Sequence, residues 1–509
     1  MRVFNIPSSA PFLRTLISAL VDGELVPGFN ARTEPDRLMH ATLYLPTRRA
    51  CLLAHDIFLD VLGLDAAVLP RLVQLGNIDE SEIEFANAEI PRVSEIGEAA
   101  SSNIPPKLGE LTRRMALAEL VAAWAKQLDP NDPLASPLVV GGPASTLALA
   151  TDLAKLMDDM VTRGVSYDAL NGLVPDALDK YWQLTLDFLR IAREYWPLYL
   201  DSVERIEPAA RRDLLIEAEA KRLIEQHQHG PVIAAGSTGS MPTTAKFLNA
   251  IARLPQGAVV LPGLDIDLDD AAWALIGGSE DAAGNQLTPP SSNHPQYALH
   301  ALLTKHLGIA RGDVVQLAAP AAHGRELLAS EMMRPSSATA HWHARLNEPA
   351  VELRIAAGMQ NLAVISAPNT EMEALAIAIA MREARAQYKT ANLITPDRAL
   401  ARRVTAALTR WELEFDDSGG DSLTDSSAGI FARLSAEAAT EELEPPTLLA
   451  LLKHPLFRLG RSQGAWTRAI ETLELALLRG TRPAPGTPGL ARDFSNFRAE
   501  LAMARAHQH

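Results

Sequence analysis

The chain has 509 residues, 47% hydrophobic and 21% charged, which is the composition of a folded protein of roughly two to four domains. Its net charge of −15 argues against a wholly basic nucleic-acid-binding surface and leaves only a local patch or a partner subunit for that role. The single cysteine, Cys51, excludes a disulfide framework and cysteine-rich metal sites, and the absence of any apolar run of spanning length predicts a cytoplasmic protein with no membrane partner.

The N-terminal residues have the layout strand, turn, helix. Residues 2–6 (R-V-F-N-I) predict a strand, residues 7–11 (P-S-S-A-P) a turn, and the residues that follow a helix. In nucleotide-dependent motors such a turn is a P-loop, whose glycines, Lys and Ser or Thr hold phosphates and magnesium. This turn has no Gly and no Lys, and no Gly-Lys dipeptide occurs in the chain. The sequence therefore predicts that no ATP is hydrolysed at a P-loop.

Residues 41–59 repeat the layout, with A-T-L-Y-L as a strand and P-T-R-R-A as the turn into a helix. Ligands of parallel sheets bind outside the carboxyl ends of the strands, which is where this turn places Thr47, Arg48 and Arg49. The functional interpretation is contact with a phosphate backbone. The alternative is an ordinary solvated helix start.

Residues 108–228 are helical in pattern, because apolar residues recur at spacings of three and four along three segments. The aromatic residues of the block are expected in its core, although stacking on bases is an alternative. We interpret the block as a helical insertion between α/β parts. A protein-interaction scaffold with no ligand of its own is another possible function.

From residue 231 the strand–turn–helix pattern returns in P-V-I-A-A-G-S-T-G-S, and G-A-V-V-L-P-G-L-D predicts a further strand. Gly236, Ser237 and Gly239 lie in the first of these turns, where backbone N–H groups can hold an anion at a helix N-terminus. An alternative function is thus an α/β enzyme that binds a nucleotide or phosphorylated ligand at the loop Gly236–Ser240. The spacing is not that of a dinucleotide-binding motif.

Residues 361–423 contain two short apolar runs, N-L-A-V-I-S and A-N-L-I-T, each followed by a turn and an amphipathic helix. This pattern is typical of βα units in a parallel sheet. The turn after the second run contains Thr395, Asp397 and Arg398.

Several of these segments, taken in order, resemble the AddB family, the double-strand break repair subunits of AddAB helicase–nucleases, in its alphaproteobacterial type. The resemblance covers almost the whole chain. It rests on L-P-T-R-R-A, L-P-R-L-V-Q-L-G-N-I-D-E-S-E, A-A-G-S-T-G-S-M-P-T-T-A, L-P-Q-G-A-V-V-L-P-G-L-D, H-P-Q-Y-A-L, residues 361–423 and L-L-A-L-L-K-H-P-L.

The resemblance implies a superfamily 1 helicase-like body of two RecA-like parallel-sheet domains with a helical insertion. It implies an AddA-type partner that uses ATP, and a role on DNA ends and single-stranded DNA in recombinational repair. On this view Thr47, Arg48 and Arg49, and more weakly Thr395, Asp397 and Arg398, contact the DNA backbone. No catalytic residue and no cofactor are expected in this chain, so whether it is itself an enzyme stays open.

The family also carries a C-terminal nuclease that holds magnesium and often an iron–sulfur cluster, and this chain has no residues that match it. The expected organisation is residues 1–107 and 231–350 as the first RecA-like domain, 108–230 as the insertion, and 351–509 as an incomplete second domain. The chain is thus expected to be the N-terminal part of such a protein, without the nuclease.

Overall fold

The computed structural model describes residues 1–75, 104–128, 142–172, 180–226, 229–280, 286–420, 422–460, 462–479, 484 and 486–506. The chain forms two compact units, Met1–Leu362 and Ala363–His509. The first contains a parallel sheet with helices on both faces, and the predicted α/β class is confirmed.

Six strands form the sheet of the first unit, in the spatial order β3-β2-β4-β5-β1-β8, and every neighbouring pair is parallel. They are β1 (Val3–Ile6), β2 (Thr42–Leu45), β3 (Arg71–Gln74), β4 (Val232–Ala235), β5 (Gly257–Pro262) and β8 (Val315–Gln316). Two short strands between them in sequence, β6 (Ser279–Glu280) and β7 (Gln286–Thr288), form a separate antiparallel pair.

The central strands consist almost wholly of apolar residues because both faces of the sheet are covered. Alternate residues of β4 enter two different cores: Val232 and Ala234 join one, and Ile233 and Ala235 join the other. Asn5 of β1 is a buried polar exception, and its amide group bonds to the backbone of Leu264 and to the side chain of Gln316. The predicted strands of residues 1–75 and 231–265 therefore form, with ends within a few residues of expectation.

Helices of the first unit alternate with these strands and occupy the helical block between β3 and β4. They are α1 (Phe12–Val21), α2 (Arg48–Leu62), α3 (Glu110–Ala125), α4 (Gly142–Arg163), α5 (Lys180–Arg190), α6 (Trp196–Ser202), α7 (Pro208–Glu225), α8 (Pro242–Arg253), α9 (Asp270–Ile276), α10 (Tyr297–Ala301), α11 (Arg325–Met332), α12 (Trp342–Leu346) and α13 (Pro349–Met359). Single π-helical turns follow α5 (Ile191–Tyr195) and α10 (Leu302–Leu307).

The helical block has its own core and is also tied to the sheet. Arg113 is buried and pairs with Asp158 and Glu207, while Trp196 is buried among the same helices. The last helix of the block, α7, instead contributes Leu215, Ile216 and Leu223 to the core on one face of the sheet. One end of the block is thus part of the first unit's main core.

The second unit consists, in its described residues, of helices without strands. They are α14 (Thr370–Ala386), α15 (Arg398–Arg410), α16 (Ser427–Thr440), α17 (Pro445–Lys453), α18 (Gln463–Leu473), which ends in a π turn (Glu474–Leu478), and α19 (Gly486–Ala506). A small core of Ala374, Ala378, Val404, Ala407 and Leu408 joins α14 to α15.

The two strands predicted within residues 361–395 do not form, and that prediction was wrong. Val364 is 91% exposed and Ile394 is 94% exposed, so neither run is covered by a neighbour. A parallel strand needs an adjacent strand for its backbone hydrogen bonds, and the described residues of this unit supply none.

The boundaries between the parts also differ from the expected organisation. The expected start of the second part, residue 351, lies inside α13, and the first compact unit continues to Leu362. Within the motif of residues 69–82, residues 71–74 form β3, and residues 76–82 lie outside the described residues.

Candidate functional site

The turns after β1, β2, β4 and β5 meet at the carboxyl edge of the first unit's sheet. Ile6, the last residue of β1, pairs with Pro262, the last residue of β5, so the turns that follow begin side by side. A Cβ atom on Gly236 would lie 3.2 Å from Cδ of Pro46, which places the turns after β4 and β2 in contact. This edge is the usual ligand-binding position of an open α/β sheet.

The turn after β1, where a motor protein has its P-loop, donates hydrogen bonds to a carboxylate of the same unit. Oε1 of Glu326, on α11, accepts a hydrogen bond of 2.9 Å from the backbone N–H of Ser9 and another of 2.9 Å from the Ser9 hydroxyl. The Ser9 oxygen in turn accepts from the backbone N–H of Ala321. The Glu326 carboxylate therefore already accepts from the N–H and the hydroxyl of Ser9, which are the kind of donors that a phosphate-binding turn uses.

The turn after β2 holds Thr47, Arg48 and Arg49 at the start of α2. The Thr47 hydroxyl caps the helix by accepting from the N–H of Ala50 at 3.1 Å. The Thr47 hydroxyl therefore has a structural role as the N-cap of α2. Arg48 and Arg49 are exposed at the same edge, where their charge and the helix N-terminus both favour an anion.

The turn after β4 holds Gly236, Ser237 and Gly239, and both glycines have positive φ angles, +79° and +64°. The N–H of Gly236 donates to the carbonyl of Val260 in the sheet, and the N–H of Gly239 donates to the hydroxyl of Ser237. The following helix begins with Pro242, which has no N–H. The two glycine amides therefore already have acceptors.

Thr395, Asp397 and Arg398 lie in the second unit, at the start of α15, and local hydrogen bonds hold all three. Asp397 caps the helix, and its bonds from the backbone N–H groups of Leu400 and Ala399 lower the pKa of its carboxyl. The Thr395 hydroxyl accepts from the N–H of Asp397. These contacts explain why a polar cluster follows the apolar run.

Arg398 makes a two-pronged ion pair with Asp417, at 3.0 and 2.8 Å, and also donates to the carbonyl of Gly420. The Arg398 hydrogen bond, followed by that of the Gly419 backbone, lowers the pKa of Asp417 to about 2. This pair fixes the loop after α15 against the start of the same helix.

A buried polar cluster lies under the sheet and was not identified from the sequence. The hydroxyl of Tyr44, on β2, donates to Glu219 of α7, and Arg222 pairs with the same carboxylate at 2.7 Å. Burial raises the pKa of Tyr44 well above its usual value, and the Glu219 charge adds to this. Burial opposes ionisation of Glu219, but the Arg222 hydrogen bond and charge, with the Tyr44 bond, hold its pKa below the usual value. No local pattern links residues so far apart.

A cavity of about 380 Å³ opens beside the turns after β1 and β5, between them and α11. Its lining includes Ser8, Leu264, Asp265, His294, Ser330 and Met333. The sequence pattern indicated the edge but not the cavity, because α11 and the loop around His294 reach it from distant parts of the chain.

The chain matches no protein-family model, and no curated protein matches it. Within the described ranges, no group of three or more His, Cys, Asp or Glu side chains is placed to hold a metal ion. No helix in the described part of the chain is both long and apolar enough to cross a membrane.

Proposed function

We propose that this chain is a helicase-like subunit of a helicase–nuclease that processes double-stranded DNA ends for recombinational repair. In this role it does not hydrolyse ATP. It binds and scans single-stranded DNA and supports an AddA-type partner that supplies the ATP-driven motor. No cutting step is proposed for this chain.

The proposal that this chain does not hydrolyse ATP rests on the hydrogen bonds between Glu326 and Ser9. A phosphate-binding turn needs unoccupied backbone N–H groups and a cation. Here the turn has no Lys, and the N–H and the hydroxyl of Ser9 both donate to a carboxylate. A triphosphate at this position would meet like charge, which is strongly unfavourable at a partly buried site.

Strand order supports a RecA-like first unit. The first strand of the chain lies inside the sheet, between β5 and the late strand β8, and the turn that follows it is where nucleotide-dependent motors have their phosphate loop. The long connection between β3 and β4 holds the helical block, in keeping with the proposed insertion.

The proposed DNA contact is at Arg48 and Arg49, which are exposed at the carboxyl edge of the sheet. The net charge of −15 makes binding through a partner-assisted patch more favourable than independent binding over the whole surface. Arg398 in the second unit is a weaker candidate, because its guanidinium already bonds to Asp417 and Gly420.

The test uses the full chain with and without a purified AddA-type partner. We expect no ATP hydrolysis and no saturable nucleotide binding by the chain alone, and co-purification with the partner on DNA ends. The proposal would be overturned if the chain associated with neither the partner nor DNA. Saturable nucleotide binding that is lost in Gly239→Val would favour the phosphate-ligand enzyme instead.

A further inference from the structure

The C-terminal end of helix α14 carries an aromatic ring that no described residue covers. Tyr388 is 98% exposed, the highest fraction among the large hydrophobic and aromatic side chains of the described residues. It lies two residues beyond Ala386, the last residue of α14. Aromatic rings usually stabilise a protein by being buried, so a ring left wholly in water contributes little to this fold.

The turn that holds Tyr388 is ordered by backbone hydrogen bonds. Its N–H donates to the carbonyl of Arg385 at 3.0 Å, and the N–H of Lys389 donates to the carbonyl of Ala384 at 2.9 Å. This is a common way to end a helix, and glycine is the usual residue at the left-handed position, which Tyr388 occupies here with a φ angle of +57°. The ring therefore projects into solvent from a fixed turn, at a backbone position that disfavours a large side chain.

Three cations flank the ring. Arg382 and Arg385 are three residues apart on one face of α14, Lys389 follows Tyr388 directly, and all three are exposed. The guanidinium of Arg385 has no hydrogen-bond or ion-pair partner among the described residues. Lys389 donates to the side chain of Gln387 at 2.8 Å, which leaves two of its three ammonium protons for other acceptors. Positive charge therefore faces solvent on both sides of the ring in sequence.

Arg382 is held in place by a second aromatic residue. Its guanidinium carbon lies 5.0 Å from the ring centroid of Trp411, the residue that follows α15. Trp411 in turn packs against the small core between α14 and α15. A stacked guanidinium still presents the N–H groups at its edge, which is the geometry that arginine uses toward phosphates. The contact therefore orders one cation at this end of the helix pair.

The helix alone does not explain this arrangement. The partial negative charge at a helix C-terminus accounts for a nearby cation, but not for an exposed ring. Glu383 is the single carboxylate of residues 382–389, and it lies about 100° from Arg382 and about 160° from Arg385 around the helix axis. It is therefore not placed between the two arginines. Residues 363–509 also contain nearly as many Lys and Arg as Asp and Glu, so the second unit carries little of the chain's excess negative charge.

An exposed ring between cations suits a ligand that has both flat faces and negative charge. Single-stranded nucleic acid has this character, because its bases stack on aromatic side chains while cations neutralise its phosphates. The bases of a duplex are already stacked on one another. We propose that the turn Arg385–Lys389 binds single-stranded DNA, with one base on the ring of Tyr388 and the flanking phosphates on Arg385 and Lys389. This inference rests on the proposed function and adds to it a contact in the second unit.

Photocrosslinking locates the contact. Oligothymidylates that carry one 5-iodouracil, at each position in turn, are irradiated with the full chain in the presence of the AddA-type partner. We expect a crosslinked peptide that contains Tyr388, because this base couples to an aromatic side chain stacked on it. Crosslinks that map only to other parts of this chain would overturn the inference and leave the proposed function intact. If the chain neither crosslinks to DNA nor associates with it, both are overturned.

Affinity measurements separate stacking from charge. Tyr388→Asn removes the ring and suits the left-handed backbone, so it preserves the fold, and it should weaken binding to oligothymidylate about fivefold or more. Tyr388→Phe retains the ring and should bind like the wild-type chain. On a strand of the same length without bases, wild type and Tyr388→Asn should bind equally. Arg385→Ala with Lys389→Ala should instead reduce the slope of log affinity against log salt, by up to about 1.4.

Tyr195→Ala is the matched control. Tyr195 is 48% exposed in the helical block, but its neighbours Arg190 and Arg193 are both paired with Glu194. Its loss should leave DNA binding unchanged. Equal affinity of wild type and Tyr388→Asn for oligothymidylate would overturn the inference, as would an equal loss on the strand without bases. Loss of partner association in Tyr388→Asn, with DNA crosslinking unchanged, would make the turn a protein contact and overturn it as well.

Discussion

The Oε1 atom of Glu326 accepts hydrogen bonds from both the backbone N–H and the hydroxyl of Ser9, two residues that are 317 positions apart in sequence. The bond joins the turn after the first strand to helix α11. It therefore connects a turn near the start of the first unit to a helix near the end of that unit.

Glu326→Ala should lower the free energy of unfolding of the first unit by about 1–2 kcal/mol, because the part-buried N–H and hydroxyl of Ser9 lose a charged acceptor. Glu326→Gln retains an acceptor oxygen and should cost less. Denaturant unfolding followed by hydrogen exchange of the first unit measures both. Glu352→Ala, at an exposed carboxylate of α13, is the control. Equal effects of the three variants would contradict the assigned role of the bond.

Tyr44 predicts a loss of stability at high pH. Its folded-state pKa is raised, so its contribution is fully present below the unfolded value of about 10 and is lost as pH rises beyond it. In that range the unfolded state releases the phenolic proton while the folded state retains it. Thermal unfolding from neutral pH to above pH 10 should therefore show a steeper fall for the wild-type chain than for Tyr44→Phe. Parallel curves would show that the Tyr44 environment is not as described.

Glu219 predicts the opposite dependence at low pH. Its folded-state pKa is lowered, so its contribution is present above the unfolded value of about 4.3 and is lost as pH falls through the folded value. Glu219→Gln should flatten the acid limb of the stability curve of the first unit. Glu217→Gln, at a half-exposed position on the same helix, is the control for the loss of one carboxylate.

Arg48 and Arg49 test the proposed DNA contact. Arg48→Ala with Arg49→Ala should weaken binding of the partner complex to single-stranded DNA and reduce the slope of log affinity against log salt by up to about 1.4, about 0.7 for each phosphate that is no longer neutralised. Arg398→Ala serves as the comparison and should change the slope less, since Arg398 is engaged by Asp417. Unchanged binding in the double variant would remove this edge from the proposed interface.

Val364 and Ile394 test the absence of a sheet in the described residues of the second unit. Because their side chains are exposed, Val364→Lys and Ile394→Lys should change the free energy of unfolding by less than about 0.5 kcal/mol. Leu408→Ala removes a buried side chain between α14 and α15 and should cost about 2–4 kcal/mol. A large loss of stability on introducing either lysine would mean that the two apolar runs are covered after all.

The apolar runs of residues 2–6 and 231–235 are both followed by a turn and an amphipathic helix, and they form β1 and β4. The run around Ile394 has the same local features and forms no strand. The difference is the presence of parallel neighbours, which β4 finds in β2 and β5. A local pattern specifies that a segment can pair, but not that a partner lies beside it.

The sequence by itself determined the α/β class, the main strands of the first unit and the lack of a P-loop lysine, because these depend on residues close together in the chain. Only the tertiary structure decided that Glu326 occupies the turn at Ser9, that Tyr44 meets Glu219 and that His294 and Ser330 share a cavity. Each of these contacts joins distant segments through the packing of separate helices against the sheet. Such packing depends on all the elements at once, so no single stretch of sequence encodes it.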